Sequence, residues 1–137
     1  MNNHGEHGEE RLVKDCAEHL IDAVLTCVTN VHRHLGPGLF ESVYELATMV
    51  ELEQAQIVAK RQVEIPVLYR GHDLGIGSRA DILVAECLLL ELKTVDEFVT
   101  VHLAQMITYL KLLRLKRGFL INFNKTLLKD GIKRVSI

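Results

Sequence analysis

The chain lacks any apolar run approaching the roughly 20 residues that a membrane-spanning helix needs, so no membrane segment is expected in its 137 residues. Its start, MNNHGEHGEE, has no apolar stretch behind a basic head, and no secretory signal is expected there. Cysteine is scarce. Cys16, Cys27 and Cys87 are too few and too widely spaced for a disulfide framework, and no CxxC pair or Cys/His cluster suggests zinc. Each sits among apolar residues, so each is expected as a buried small hydrophobe in a reducing cytoplasm. Neither sign of charge dominates: the formal net charge of −2 argues against holding nucleic acid mainly through bulk positive charge. Internal repeats and linker-like stretches are also missing. What remains is 48% hydrophobic and 25% charged, a composition that excludes wholesale disorder and fits one domain.

The near-neutral total hides a division. Residues 99–137 carry eight Lys and Arg against the one acid Asp130, a balance of +7, whereas residues 1–98 carry eight against seventeen acids, a balance of −9. Such asymmetry raises the question whether one face meets an anion. A solvated basic helix face is the commoner cause.

Residues 1–9 are polar and are expected as a disordered segment, where His4 and His7 would bind metal only weakly. Residues 10–137 are expected as a single domain. From about Glu10, Leu12, Cys16, Leu20, Val24, Val28 and Val31 recur at helical spacing, and Leu35-Gly36-Pro37-Gly38 stops that helix. A second helix should begin just beyond and turn Phe40, Val43, Tyr44, Ala47 and Val50 to the core. The period then changes to two across Gln62–Val67, with Pro66 marking an edge strand or bulge. Arg70-Gly71-His72-Asp73 is turn chemistry. Strands at about 77–84 and 87–93 should form a hairpin around Ala85-Glu86. Residues 100–115 return to helical spacing, with Leu103, Met106, Ile107, Leu110 and Leu113 inward. A buried strand at 118–123, a turn near Asp130-Gly131 and a short last strand complete an αα–βββ–α–β(β) order, hence an α/β fold.

The hairpin concentrates the chemistry. A turn centred near Glu86 sets Asp81 opposite Glu91 and Arg79 opposite Lys93, all on one face, with Ile82, Val84, Leu88, Leu90 and Leu92 on the other. Carboxylates directly across strands repel, and flanking Leu83 and Leu89 limit their solvation. Such a pair needs a proton, a cation such as Lys93, or a bound metal. The competing reading is an ion-pair cluster of Arg79, Asp81, Glu91 and Lys93 without chemistry.

Gly38-Leu39-Phe40-Glu41-Ser42-Val43-Tyr44 resembles the signature of the GxxExxY protein family. The likeness extends through Val31-His32-Arg33, Arg79-Ala80-Asp81, Glu91-Leu92-Lys93, His102 with Ala104-Gln105, Thr108-Tyr109-Leu110, Leu120 to Asn124, and Leu128 to Val135. That family is assigned to the PD-(D/E)XK nuclease superfamily. The resemblance implies a restriction-endonuclease-like αβββαβ core, a mixed sheet flanked by helices, with an extra N-terminal helix. It implies that Asp81 and the Glu91-Leu92-Lys93 triplet are the superfamily's Asp and ExK, with Ala80 in place of the proline before Asp81. Glu41 would be the helix carboxylate, and Gln105 and Tyr109 the Gln-x-x-x-Tyr motif of some members.

The implied activity is hydrolysis of phosphodiester bonds, in DNA rather than RNA, by a metal-activated water. Asp81, Glu91, the Leu92 carbonyl and Glu41 are hard oxygen ligands for Mg²⁺ or Mn²⁺, and Lys93 and Gln105 would complete the catalytic set. Tyr109, Lys111, Arg114, Lys116 and Arg117 would guide nucleic acid, with Arg79, His102 and Tyr44 as support. A homodimer would supply two sites for two strands. Blander roles compete at several positions. Glu41 and Glu45 suit the positive end of a helix, Tyr44 suits core packing, Tyr109 a half-buried ring and His102 a helix cap. Gly36 and Gly38 need only be turn residues. The alternative function is a non-catalytic nucleic-acid-binding or interaction module that keeps the nuclease fold, and a purely structural subunit is a third.

Overall fold

The computed structural model describes residues 15–137. The expected disordered segment, the weak metal pair His4/His7 and the start of the first helix at Glu10 lie outside them. Helix α1 spans Glu18–Leu35, so Cys16 precedes it rather than riding on it. Helix α2 spans Glu41–Gln54. Strands β1 (Ala59–Tyr69), β2 (His72–Val84) and β3 (Leu88–Lys93) follow, then α3 (Thr100–Leu113), β4 (Arg117–Asn122), a 3₁₀ turn (Leu128–Gly131) and β5 (Ile132–Ser136). The element order agrees with the periodicity.

The sheet runs β1-β2-β3-β4-β5. Only β3 and β4 are parallel, a pairing that needs a crossover, and α3 provides it. Helices α1 and α2 cover one face, over a core that includes Ile82, Val84, Leu88, Leu90, Leu92 and Phe123. Helix α3 covers the other through Met106, Tyr109 and Leu110 against Leu83, Leu89 and Leu120. The apolar hairpin face expected from alternation is therefore the one that meets α1 and α2. Pro66 sits on the edge strand at a register shift, as its missing N–H requires.

Two expectations fail on packing grounds. In α2 the expected inward face holds for Tyr44, which is buried, and Ala47, which packs against the core, but fails for Phe40, Val43 and Val50, which are exposed, while Glu45, Thr48 and Leu52 are buried instead. The helix is rotated because the Tyr44 ring stacks on Phe123, with centroids 4.3 Å apart, and Glu45 is drawn inward by Arg61. The second concerns cysteine. Cys16 and Cys87 form a disulfide, with Cα atoms 5.5 Å apart, and only Cys27 is a free buried thiol among the described residues. Their 71-residue separation hid the pair. The argument from unpaired cysteines to a reducing cytoplasm therefore no longer holds.

The β2–β3 turn places Ala85 and Glu86 both at positive φ, 51° and 58°. The Cys87 N–H closes the turn onto the Val84 carbonyl at 2.9 Å. Such a turn favours Asn or Gly at its centre. Ala85→Asn should raise stability by roughly 0.5–1 kcal/mol, because alanine bears a left-handed penalty there that asparagine largely escapes. Urea unfolding checks this, with a midpoint increase at unchanged slope expected.

Candidate active site

Strands β2 and β3 pair through Val84↔Leu88, Leu83↔Leu89 and Ile82↔Leu90, then part. The next position along that register is Asp81 beside Glu91. The Asp81 N–H donates to Glu91 Oε2 at 2.7 Å, and the Leu92 N–H donates to Asp81 Oδ2 at 2.7 Å. Side-chain carboxylates thus take over from ladder carbonyls where the strands split. Beyond the split Arg79 pairs across to Glu64 of β1, at 3.5 Å, and not to Lys93. The expected Arg79–Lys93 pairing fails because β2 has already left β3.

Glu91 is buried and Asp81 half-buried. Burial, then the Asp81 charge, pushes the Glu91 carboxyl up to about 8, against the Asp81 N–H and Lys93, which favour its ionised form. Burial likewise raises Asp81 to about 6; the Leu92 N–H and Lys93 oppose the rise, and Glu45 and Glu41 add to it. Four carboxylates and one ammonium therefore share a field. Among the described residues no three His, Cys, Asp or Glu side chains converge as a ready metal cage. Asp81 and Glu91 are instead turned onto backbone N–H groups.

Glu41 opens α2, and its Oε2 accepts the Thr94 N–H, one residue beyond Lys93, at 3.1 Å. The loop before it is clasped by Tyr44, whose hydroxyl donates to the Gly36 carbonyl at 2.5 Å and accepts the Leu39 N–H at 3.1 Å. Gly36 and Gly38 adopt positive φ, 68° and 104°. The glycine, glutamate and tyrosine of the GxxExxY stretch are thus a turn, a carboxylate held on the Thr94 N–H and the clasp that ties the turn to the helix start. Asn122, fully buried, fixes the segment after β3. Its Oδ1 accepts the Val95 N–H at 3.1 Å and its Nδ2 donates to the Val95 carbonyl at 2.6 Å.

Sequence spacing marks Glu45 only as a helix-end acid. It lies one turn from Glu41, is 5% exposed, and holds Arg61 at 2.6 Å and Gln62 at 2.8 Å. Gln62 has φ 54° and stands across β1–β2 from Asp81, between the pairs Arg61↔Ile82 and Val63↔Ala80. A non-glycine residue in that conformation costs roughly 1–3 kcal/mol, and such strain gathers at functional sites. The i, i+4 spacing of Glu41 and Glu45 was the available signal.

Residues 18–135 match the family model of the PD-(D/E)XK nuclease superfamily. The chain belongs to that superfamily. No curated protein and no solved structure matches it. The mixed sheet between two helical layers, with α1 ahead of the core, is consistent with the superfamily's restriction-endonuclease-like fold.

Within this superfamily member the other expected site residues scatter. Gln105 is half-buried on α3. Tyr109 is buried, and its hydroxyl is hydrogen-bonded to Ser78 Oγ, so it packs α3 on the sheet and is not a free nucleic-acid contact. His102 Nδ1 accepts the Val99 N–H at 3.0 Å and caps α3. Arg117 is held by Asp15 at 3.0 Å and Glu18 at 2.5 Å. It opens β4 beside Leu88, whereas Lys93 lies beside Asn122 at the other end of that pairing. Five extended residues separate the two ends, about 17 Å. Arg114 and Lys116 immediately precede Arg117, and Lys111 lies in the last turn of α3. Glu91 lies beside Leu120, three residues or about 10 Å along β4 from Arg117, so the basic cluster sits at the β4 end away from Lys93 and displaced from the carboxylates. Sequence proximity had suggested otherwise, but the crossover carries the chain back down the sheet.

Proposed function

We propose that this protein is a nuclease that hydrolyses phosphodiester bonds in DNA with Mg²⁺ or Mn²⁺ as cofactor. One observation carries the reading: the burial of Asp81 against Glu91 at the strand split, with Lys93 two residues on. A pair of like charges in a half-desolvated place destabilises the chain unless a proton or cation joins it. A structural ion-pair network would match carboxylates with cations, and here four carboxylates bear on one lysine and on an arginine already bound to Glu45.

The donor chemistry fits such an ion. Asp81, Glu91 and the Leu92 carbonyl are hard oxygen donors, and Glu41 is a fourth within the same field. A divalent cation, when bound, polarises a phosphoryl oxygen and makes water a better nucleophile near neutral pH. Lys93 would offset negative charge building on the phosphoryl group. Glu45, fastened by Arg61 and Gln62, keeps the base of α2 in register with Asp81 and so holds Glu41 in place. Gln105 remains a candidate contact for water or a ligand carboxylate.

The test incubates single- and double-stranded DNA and RNA with Mg²⁺ or Mn²⁺, beside Asp81→Ala and Lys93→Ala. Cleavage by the wild type that both variants lose is expected. Cleavage that persists unchanged in both would sink the assignment.

A further inference from the structure

Phe40 is the most exposed aromatic residue among those described, at 81%. It stands at the N-cap of α2, immediately before Glu41, with extended backbone (φ −68°, ψ 150°) and no side-chain capping bond. That position favours Ser, Thr, Asp or Asn, whose oxygens satisfy free helix N–H groups. Phenylalanine can do none of this. Nor is it the apolar staple of the helix start, which belongs to the preceding residue and the fourth helical one; those are Leu39 and Tyr44. The Phe40 ring thus neither caps nor packs, and its exposure opposes stability.

Its surroundings are tied by hydrogen bonds. Tyr44 holds Gly36 and Leu39 as described, the Gly38 N–H donates to Asn124 Oδ1 at 3.3 Å, and the Val43 N–H donates to the Phe40 carbonyl at 3.0 Å. A large ring is therefore presented on a fixed loop, one residue from a carboxylate that contacts the segment carrying Lys93. We infer that Phe40 is a stacking platform for an unpaired nucleobase, and that the site takes single-stranded nucleic acid or a frayed end in preference to intact duplex. This rests on the proposed nuclease reading. Stacking on an aromatic face stabilises by roughly 1–3 kcal/mol per base and tolerates any base, whereas the bases of an intact duplex are stacked on each other and offer no free face.

The chain contains no tryptophan, so Phe40→Trp introduces a single fluorophore at the platform. With Ca²⁺ in place of Mg²⁺, labelled 12-mer oligothymidylate, 12-mer oligouridylate and a blunt 12-base-pair duplex are titrated against wild type, Phe40→Trp and Phe40→Ser. Phe40→Ser should weaken binding of a single strand by roughly five- to a hundredfold and leave duplex binding unchanged. It should melt at or above the wild-type temperature, because serine restores a cap. Phe40→Trp should keep the single-strand affinity and show quenching on saturation. Equal single-strand affinity in Phe40→Ser, or binding without quenching in Phe40→Trp, overturns the inference. So does a shift of Phe40→Ser to a smaller species in size-exclusion chromatography with binding unchanged, which would mark the ring as a contact between copies. Asp81-dependent cleavage with no effect of Phe40 leaves the nuclease reading standing alone, whereas Phe40-dependent binding without cleavage leaves only the stacking site. Failure of the wild type to bind any of the three probes overturns both.

Discussion

Asp81→Asn should lower metal-dependent hydrolysis by about a thousandfold, a loss of about 4 kcal/mol of transition-state stabilisation, while raising the melting temperature of the metal-free protein at pH 8. The two effects share one cause. Asparagine can still accept the Leu92 N–H through its side-chain oxygen, so the backbone bond at the strand split survives. What disappears is one of two neighbouring charges, the one that helps to push Glu91 upward. Lys93→Ala should also abolish cleavage but with the opposite stability change, since it removes the cation that favours both ionised carboxylates. Opposite shifts in melting temperature with the same loss of activity identify a site held together for function. In a structural ion-pair cluster both variants would lose stability and neither would lose cleavage. A destabilised Asp81→Asn with wild-type activity would leave Asp81 as a structural partner only.

Without divalent metal the protein should be most stable in mild acid and lose stability as pH rises through the range of about 4 to 8. Asp81 moves from 3.8 to about 6 and Glu91 from 4.5 to about 8 on folding. The folded chain therefore holds more protons than the unfolded chain between those values, and stability declines with pH there. The contribution is fully present below about pH 4 and is lost as the folded groups ionise. For Asp81 alone the change is about 3 kcal/mol. Glu91 adds to it, though not in full, because the two carboxyl groups titrate as a pair. A fall of roughly 10 °C in melting temperature between pH 5 and pH 8 is expected. Mg²⁺ should return much of it at pH 8 and little at pH 5, where protons already occupy the carboxylates. Melting curves at the two pH values, with EDTA and with Mg²⁺, measure all four corners. A metal-free protein equally stable at both would show that the pair is not the destabilising element inferred from its burial.

Much of this site is legible in the amino-acid sequence itself. Alternation of period two around Ala85-Glu86 sets Asp81 beside Glu91, because strand register follows from the turn; the observed ladder stops one position short, at Ile82↔Leu90, and the Asp81 N–H meets the Glu91 side chain instead. The helical periods of α1 and α3 are read the same way. The α2 face was not, because its apolar residues lie on more than one side. There tertiary contacts chose the rotation, with Tyr44 on Phe123 and Glu45 on Arg61 outweighing the exposure of Phe40, Val43, Leu46 and Val50.

Local chemistry along the sequence thus determined the order of elements, the hairpin register as far as Asp81, and the placement of Asp81, Glu91 and Lys93 on that hairpin. Only the tertiary structure decided that Glu45 joins them, that Cys16 meets Cys87, that Tyr109 is buried, and that Arg117 belongs to Asp15 and Glu18. The physical reason is range. Turn geometry and side-chain period act over a few residues, whereas burial, ion pairing and the crossover through α3 join residues 16 to about 100 positions apart, and those contacts fix which charges share a field.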